Sequence, residues 1–305
     1  MKPDPQTVAF NQQLQAMMAG GRPWHEMGAQ ELRDHLVANP MGPPPPVLDE
    51  AQARTVPGPA GDVPIRVFVP EVVQGVYLHI HGGGWVLGSH EAQDEPLMQR
   101  AVATQQAVVS VGYRMAPEDP YPAPNDDCEA AAKWLVDNAQ SEFGVSKLTI
   151  GGESAGAHLA VTTLVRMRDK HGYSNFRGAA LQYGVYDCRL SPSARTWGDE
   201  YLVLSTPIMD WFVEHYAAER DLTDPDISPI FASVQDLAPA IFSVGTADPL
   251  LDDTLLLAAR WEDAGNETQL DIYPEASHGF DGFPIPAGIE AKARVHSFLS
   301  RSLAD

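Results

Sequence analysis

The chain is short of cysteine, of positive charge and of long apolar runs, and each shortage removes a class of protein. Only Cys128 and Cys188 occur in 305 residues. That rules out a disulfide framework as the organising device and predicts reduced thiols in a cytoplasmic setting, with one bridge between the pair as the alternative. Lys and Arg number 20 against 41 Asp and Glu, a formal net charge of −21. Such a surface repels phosphate backbones and anionic membranes, so neither nucleic acid nor a lipid surface is an expected partner. No stretch approaches the roughly eighteen apolar residues of a membrane helix, and Met1 to Gln6 lacks the basic start and apolar run of a secretory leader. What is left is a globular chain, long enough to bury roughly three quarters of its unfolded surface around one large core.

The pattern along the chain changes twice. Residues 6 to 38 carry two helix-like segments, with Phe10, Leu14, Met17 and Met18 on one face and Leu32, Leu36 and Val37 on another. A stiff proline-rich linker follows over 39–46, where proline forbids helix and sheet alike. Next come three strand patterns, Gln52 to Val56, Val63 to Val69 and Gly75 to His81, which read as an antiparallel entry into a sheet. From Ala107 onward, short apolar runs alternate with helical patterns up to Leu303, predicting a largely parallel sheet covered by helices on both faces. Residues 185–235 break this alternation. They are rich in aromatics and helix formers, including Trp197, Tyr201, Trp211, Phe212 and Tyr216, and too long for a plain crossover. The division expected is an N-terminal helical segment over 1–45, a core over 46–184 and 236–305, and a helical cap inserted at 185–235, with the N-terminal helices joining that cap.

The most informative stretch is Gly152-Glu153-Ser154-Ala155-Gly156, a GxSxG sequence set where an apolar strand runs into a helical pattern. Glycines flanking the serine permit a sharp, strained turn that lifts its hydroxyl above the sheet. A serine hydroxyl is a poor nucleophile at neutral pH, so Ser154 needs a base, and that base needs a group to orient it. Downstream of the serine stand His158, His171, His215, His278 and His296. His158 lies one helical turn past Ser154 and points down the helix flank, while His171, His215 and His296 read as surface or packing residues. His278 sits in the loop Ser277-His278-Gly279-Phe280, after the last apolar strand and at the sheet edge where the serine turn opens. For the acid, Asp248 directly follows the strand Ala240 to Val244 in the loop Gly245 to Leu250. Asp252 and Asp253 are its rivals, but Asp252 opens a helical pattern, where an N-cap role satisfies it.

Negative charge developing on a substrate needs donors. The strand Val76 to Ile80 runs into His81-Gly82-Gly83-Gly84-Trp85, whose three glycines leave backbone N–H groups free to converge on an oxyanion. No Lys-Ser/Thr pair follows, which disfavours a phosphate loop. The N–H of Ala155 is a further candidate donor. Neither a metal nor an organic cofactor is called for by this set of groups.

His81-Gly82-Gly83-Gly84-Trp85, Tyr113-Arg114-Met115-Ala116-Pro117-Glu118, the GxSxG stretch, Asp248-Pro249-Leu250 and Ser277-His278-Gly279-Phe280 together resemble the hormone-sensitive-lipase-like, or bacterial type IV, carboxylesterases of the α/β-hydrolase fold. The resemblance covers roughly residues 60 to 303. It implies a Ser154, Asp248 and His278 triad, oxyanion donors at Gly83, Gly84 and Ala155, and a loop supported by Gly82 and braced by His81. It further implies that Arg114 and Glu118 pair beneath the site. Many relatives carry aspartate or threonine before the serine, whereas this chain has Glu153, expected to anchor neighbouring loops by hydrogen bonds. The function implied is hydrolysis of short-chain acyl esters through an acyl-enzyme. Alternatives are hydrolysis of another acyl bond, such as an arylformamide, lactone or carbamate, and non-catalytic binding of a small ligand, as in the plant gibberellin receptors that resemble this family and lose the histidine. A small ester is the expected partner, and a second copy of the chain is the one macromolecular partner left open.

Overall fold

A computed structural model describes residues 2–18, 20–39, 46–200 and 202–304. The linker expected over 39–46 lies mostly outside these residues, as does Tyr201. In chain order the elements are α1 (Pro5–Met18), α2 (Ala29–Ala38), β1 (Gln52–Gly58), β2 (Gly61–Phe68), β3 (Gly75–Ile80), α3 (Asp94–Thr104), β4 (Gln106–Val111), α4 (Ala123–Phe143), β5 (Leu148–Glu153), α5 (Ala155–His171), β6 (Phe176–Gln182), α6 (Pro192–Thr196), α7 (Thr206–Ala217), β7 (Ala240–Ala247), α8 (Leu251–Asp263), β8 (Thr268–Ser277) and α9 (Pro286–Ser302).

The strands form one 8-stranded sheet in the order β1-β2-β4-β3-β5-β6-β7-β8. β1 pairs antiparallel with β2, and β2 with β4; every other pairing is parallel. The antiparallel entry is therefore two strands long. Gly75–Ile80 does not continue it: β3 lies between β4 and β5 and is parallel to both. Strands buried on both faces read as unbroken apolar runs, and β3 and β4 do so because each face has its own core. Alternation along β3 sends Val76, Leu78 and Ile80 into the core shared with α4, α5 and α8. Tyr77 points to the other side, into a core with Leu97 and Ala101 of α3 and Val295, Phe298 and Leu299 of α9.

The N-terminal segment divides its attachments. α1 packs on β8 and α9, with Asn11 Nδ2 donating to the Glu275 carbonyl at 2.6 Å and Phe10 against Phe283 at 4.6 Å. Leu14 is buried, but Met17 and Val37 are exposed and take no part in the apolar faces assigned to them. α2 is pinned by Arg33, which donates to the Val86 and Ala116 carbonyls and forms a two-point pair with Glu118 at 2.8 and 2.9 Å. That pairing corrects the Arg114–Glu118 expectation. Arg114 instead grips Asp127 of α4 through Nε and Nη2, both at 2.9 Å. The resemblance carried the segment but not its partners: Arg114 leaves β4 beside α4, whose Asp127 lies within reach, while Glu118 is taken by Arg33.

Candidate active site

Ser154 stands at the junction of β5 and α5 with φ 57° and ψ −121°, a conformation costly for any residue with a β-carbon. The flanking glycines serve a purpose other than turning. A β-carbon on Gly152 would lie 2.1 Å from the Ile80 carbonyl oxygen, and one on Gly156 would lie 2.0 Å from the same atom. They let the turn press against the end of β3, while the positive φ falls on the serine itself.

His278 lies at the end of β8, with Nε2 2.9 Å from Ser154 Oγ and Nδ1 2.9 Å from Asp248 Oδ2. Asp248, at the end of β7, is buried, and its Oδ1 accepts the Leu250 amide at 2.9 Å. With Asp248 accepting from Nδ1–H, the imidazole presents Nε2 as an acceptor to the serine hydroxyl, the tautomer a general base needs. Tyr183 packs edge-on against the His278 ring at 4.8 Å. Three side chains from the C-terminal ends of three parallel strands thus meet although 124 residues separate Ser154 from His278.

The glycine loop follows β3. Gly83 has φ 113° and Gly84 φ 59°. A β-carbon on Gly83 would sit 2.2 Å from the Leu87 carbonyl oxygen, and one on Gly84 2.2 Å from the Phe212 ring. Among the described residues neither amide donates to a protein acceptor. The Ala155 amide opens α5, where no intrahelical partner exists. His81 stacks on Tyr113 at 4.2 Å, and its Nδ1–H donates to the Gly82 carbonyl at 2.8 Å. Burial holds the His81 imidazole far below its ordinary value, at about 4, so it stays a neutral strut. Gly82 sits close beneath: a β-carbon there would lie 2.7 Å from the Glu153 carbonyl oxygen.

Glu153 reaches inward rather than to a loop. Its Oε2 accepts from His79 Nε2 at 3.0 Å, and Oε1 faces Arg100 Nη1 at 3.6 Å. His79 in turn meets Ser110 Oγ at 3.0 Å, so the carboxylate ties together β3, β4 and α3. Burial opposes its ionised form, but the interaction and hydrogen bond with His79 and the Arg100 guanidinium outweigh that and lower its pKa. The rival acids have structural partners. Asp252 is no N-cap: it lies within α8, where its Oδ2 accepts the Ser193 amide at 2.9 Å. Asp253 accepts the Tyr186 and Asp187 amides at 2.6 and 2.8 Å.

The other histidines divide too. His158 is buried, accepting from Trp85 Nε1 at 3.2 Å and donating through Nε2 to the Ile227 carbonyl at 2.8 Å. His171 meets Glu129 at 2.8 Å, and His215 bonds the Trp211 carbonyl of its own helix at 2.7 Å. His296, read as surface or packing, instead lines the active-site cavity. That cavity holds about 650 Å³ and is bounded by Ser154, His278, the glycine loop and the apolar side chains of α7.

An α/β-hydrolase family model matches residues 77–282, well over half of the chain. Carboxylesterase NlhH of Mycobacterium tuberculosis is 34% identical over 275 residues, covering 85% of this chain and 86% of that one. The chain belongs to the hormone-sensitive-lipase-like carboxylesterases. An ethyl acetate hydrolase of Pseudomonas putida is 30% identical over 298 residues, covering 92% of each chain. Among solved structures, this carboxylesterase superposes on a hyperthermophilic esterase from Pyrobaculum calidifontis with TM-score 0.86, at 30% identity and over 100% of both chains. The α3 helix, Arg100 and the cavity wall they form went unread in the sequence. The buried side of that helix mixes Leu97 and Ala101 with the polar Asp94, Arg100 and Thr104, which breaks up the apolar stripe that would have marked it.

Proposed function

We propose that this carboxylic ester hydrolase cleaves short-chain acyl esters by two-step acyl transfer, with Ser154, His278 and Asp248 as its triad. The observation that carries the reading is the unbroken relay from Ser154 Oγ through both nitrogens of His278 to Asp248, each contact 2.9 Å. Ser154 Oγ attacks the ester carbonyl while His278 Nε2 takes its proton, and Asp248 stabilises the imidazolium that results. The carbonyl oxygen, now negative, accepts from the amides of Gly83, Gly84 and Ala155. As the tetrahedral species collapses, His278 gives its proton to the departing alkoxide, leaving an acyl-serine. Water then attacks the acyl carbon, His278 takes its proton, and collapse returns that proton to Ser154 as the carboxylic acid leaves.

The apolar side chains of α7 on the cavity wall are read as the seat of a short acyl group. We read residues 1–45 and 185–235 as a cap over a core of 46–184 and 236–305. Packing of the turn Trp24–Glu26 on α7 and the hydrogen bond from Gln15 to Glu200 support that division. Cys128 and Cys188 are both free and buried, in keeping with a reducing, cytoplasmic setting. The test is hydrolysis of p-nitrophenyl esters from acetyl to palmitoyl, with Ser154→Ala as control. Rates should peak at short chains, and the substitution should cost about 10⁴-fold or more in kcat. A peak at palmitate, or near-native turnover without Ser154, would overturn the reading.

A further inference from the structure

The active-site cavity has walls of two kinds. Leu204, Met209, Phe212 and Val213 form an apolar one, whereas the end of β5, α3, α9 and the loop after His278 contribute Glu153, Arg100, Lys292, His296 and Asp281. In this second wall the acids are already satisfied inside the protein. Glu153 is held by His79 and faces Arg100, while Asp281 accepts from Gln182 Nε2 at 2.6 Å and from the Tyr183 hydroxyl. Burial also pushes the Asp281 carboxyl up toward its neutral form. Glu95, the remaining acid on the wall, is exposed and accepts from Gln99 at 3.2 Å.

Two of the three bases, Lys292 and His296, are not satisfied. Among the described residues Lys292 makes no ion pair or hydrogen bond, and neither ring nitrogen of His296 has a partner. Burial first, and then the nearby Arg100 and Lys292 charges, hold His296 down at about 4. It is therefore a neutral donor and acceptor sitting in a locally positive field, inside a chain whose net charge is −21. Since Arg100 is matched by Glu153, Lys292 is, among the described residues, the cation left uncompensated on this wall.

We propose that Lys292, assisted by a hydrogen bond from His296, forms a subsite for a carboxylate carried by the ester, so that the enzyme acts on esters with an acidic end. Half-esters of short dicarboxylic acids and acylated hydroxy acids are the matching classes. The proposal rests on the acyl-transfer reading and deepens it by naming the substrate class. A flexible lysine ammonium is a point charge able to follow a carboxylate on either side of the ester bond, and desolvation within the cavity strengthens the pairing.

The test compares monomethyl glutarate with methyl pentanoate, and 4-acetoxybutanoate with butyl acetate, by pH-stat titration in low salt. In at least one pair the acidic ester should match or exceed its neutral counterpart in kcat/KM. Lys292→Gln should lower that ratio at least tenfold, chiefly through KM; Lys292→Glu should lower it further, and Lys292→Arg should retain most of it. Ratios that move less than twofold in both Lys292→Gln and Lys292→Glu would sink the subsite, as would wild-type turnover of both acidic esters below a hundredth of the neutral ones. The neutral esters, assayed on the same preparations, report a folded and working triad. If Ser154→Ala still hydrolyses them, the acyl-transfer reading itself fails; if it is inactive while the ratios stay flat, only the carboxylate subsite does.

Discussion

Replacing Gly84 by alanine tests the oxyanion loop at the point where backbone and cap meet. Two costs can be separated. At φ 59° an alanine adopts the left-handed region at about 1–2 kcal/mol. Its β-carbon would also stand 2.2 Å from the Phe212 ring, an overlap that side-chain and loop movement relieve at about 1–3 kcal/mol. The total, roughly 2–5 kcal/mol, should lower Tm by several degrees, at about 2 °C per kcal/mol for a chain of this size. The larger effect falls on catalysis. If the Gly84 N–H is an oxyanion donor, as proposed, any retreat of the loop withdraws it, and loss of one such donor costs about 10²- to 10³-fold in kcat. The assay is steady-state hydrolysis of p-nitrophenyl butyrate beside thermal unfolding, for Gly84→Ala, Phe212→Ala and the double variant. Because the overlap disappears with the ring, Gly84→Ala should cost about 1–3 kcal/mol less stability in the Phe212→Ala background. Gly83→Ala gives the contrast, since its β-carbon meets the backbone oxygen of Leu87 and no side-chain truncation relieves that. A Gly84→Ala enzyme within threefold of wild-type kcat would refute the donor assignment. Zero coupling with Phe212 would refute the steric half of the argument.

Asp248→Asn should keep the fold but favour the wrong His278 tautomer, cutting kcat by about 10⁴-fold; a loss under tenfold in stopped-flow or steady-state assays would count against Asp248 as the orienting acid. Burial raises the Asp253 carboxyl to about 7, so the folded state holds a proton that the unfolded chain releases near the ordinary carboxylate value. The stability this confers is present in acid and is lost as pH rises toward 7. Asp253→Asn, which keeps an oxygen for the Tyr186 and Asp187 amides, should therefore gain Tm over wild type between pH 5 and pH 8, by about 3 °C or more. A pH-independent difference in calorimetry would contradict that sign. Arg166 is buried and contacts Asp226, Asp126 and Glu129, with Nε to Asp226 Oδ1 at 2.7 Å, so Arg166→Met takes their shared cation away, leaving Glu129 with Lys170 and His171 and Asp226 with the Tyr121 hydroxyl. Thermal or urea unfolding should show a loss of about 3–5 kcal/mol, and a loss under 1 would mean the cluster is solvated.

The meeting of Ser154, His278 and Asp248, the proposed triad, was legible because its members are written in local constraints. Three glycines in a row, a serine between glycines, and single Asp and His residues just past apolar strands are each patterns that few other demands produce. Strand positions were legible for the same reason: β3 and β4, buried on both faces, are short runs with no polar alternation to obscure them. α3 was not, because its buried side carries Asp94 paired with Arg66, and Arg100 donating to Tyr77 at 3.0 Å. A helix that buries charge looks like a loop to any reading based on apolar spacing. The Arg114 pairing failed for a related reason: ion-pair partners are chosen by what is near in space, and Asp127 on α4 came nearer than Glu118.

The sequence by itself determined the sheet-building segments, the sharp turn at Ser154 and the side chains that the acyl-transfer proposal uses, since backbone permissiveness and side-chain chemistry are properties of the residues. Only the tertiary structure decided the order of β2, β3 and β4, the inward anchoring of Glu153, and the meeting of α3 with α9 that places Lys292 and His296 on the cavity wall with no partner among the described residues. Those outcomes depend on which charges are compensated and which surfaces touch, and long-range contacts between distant segments settle both.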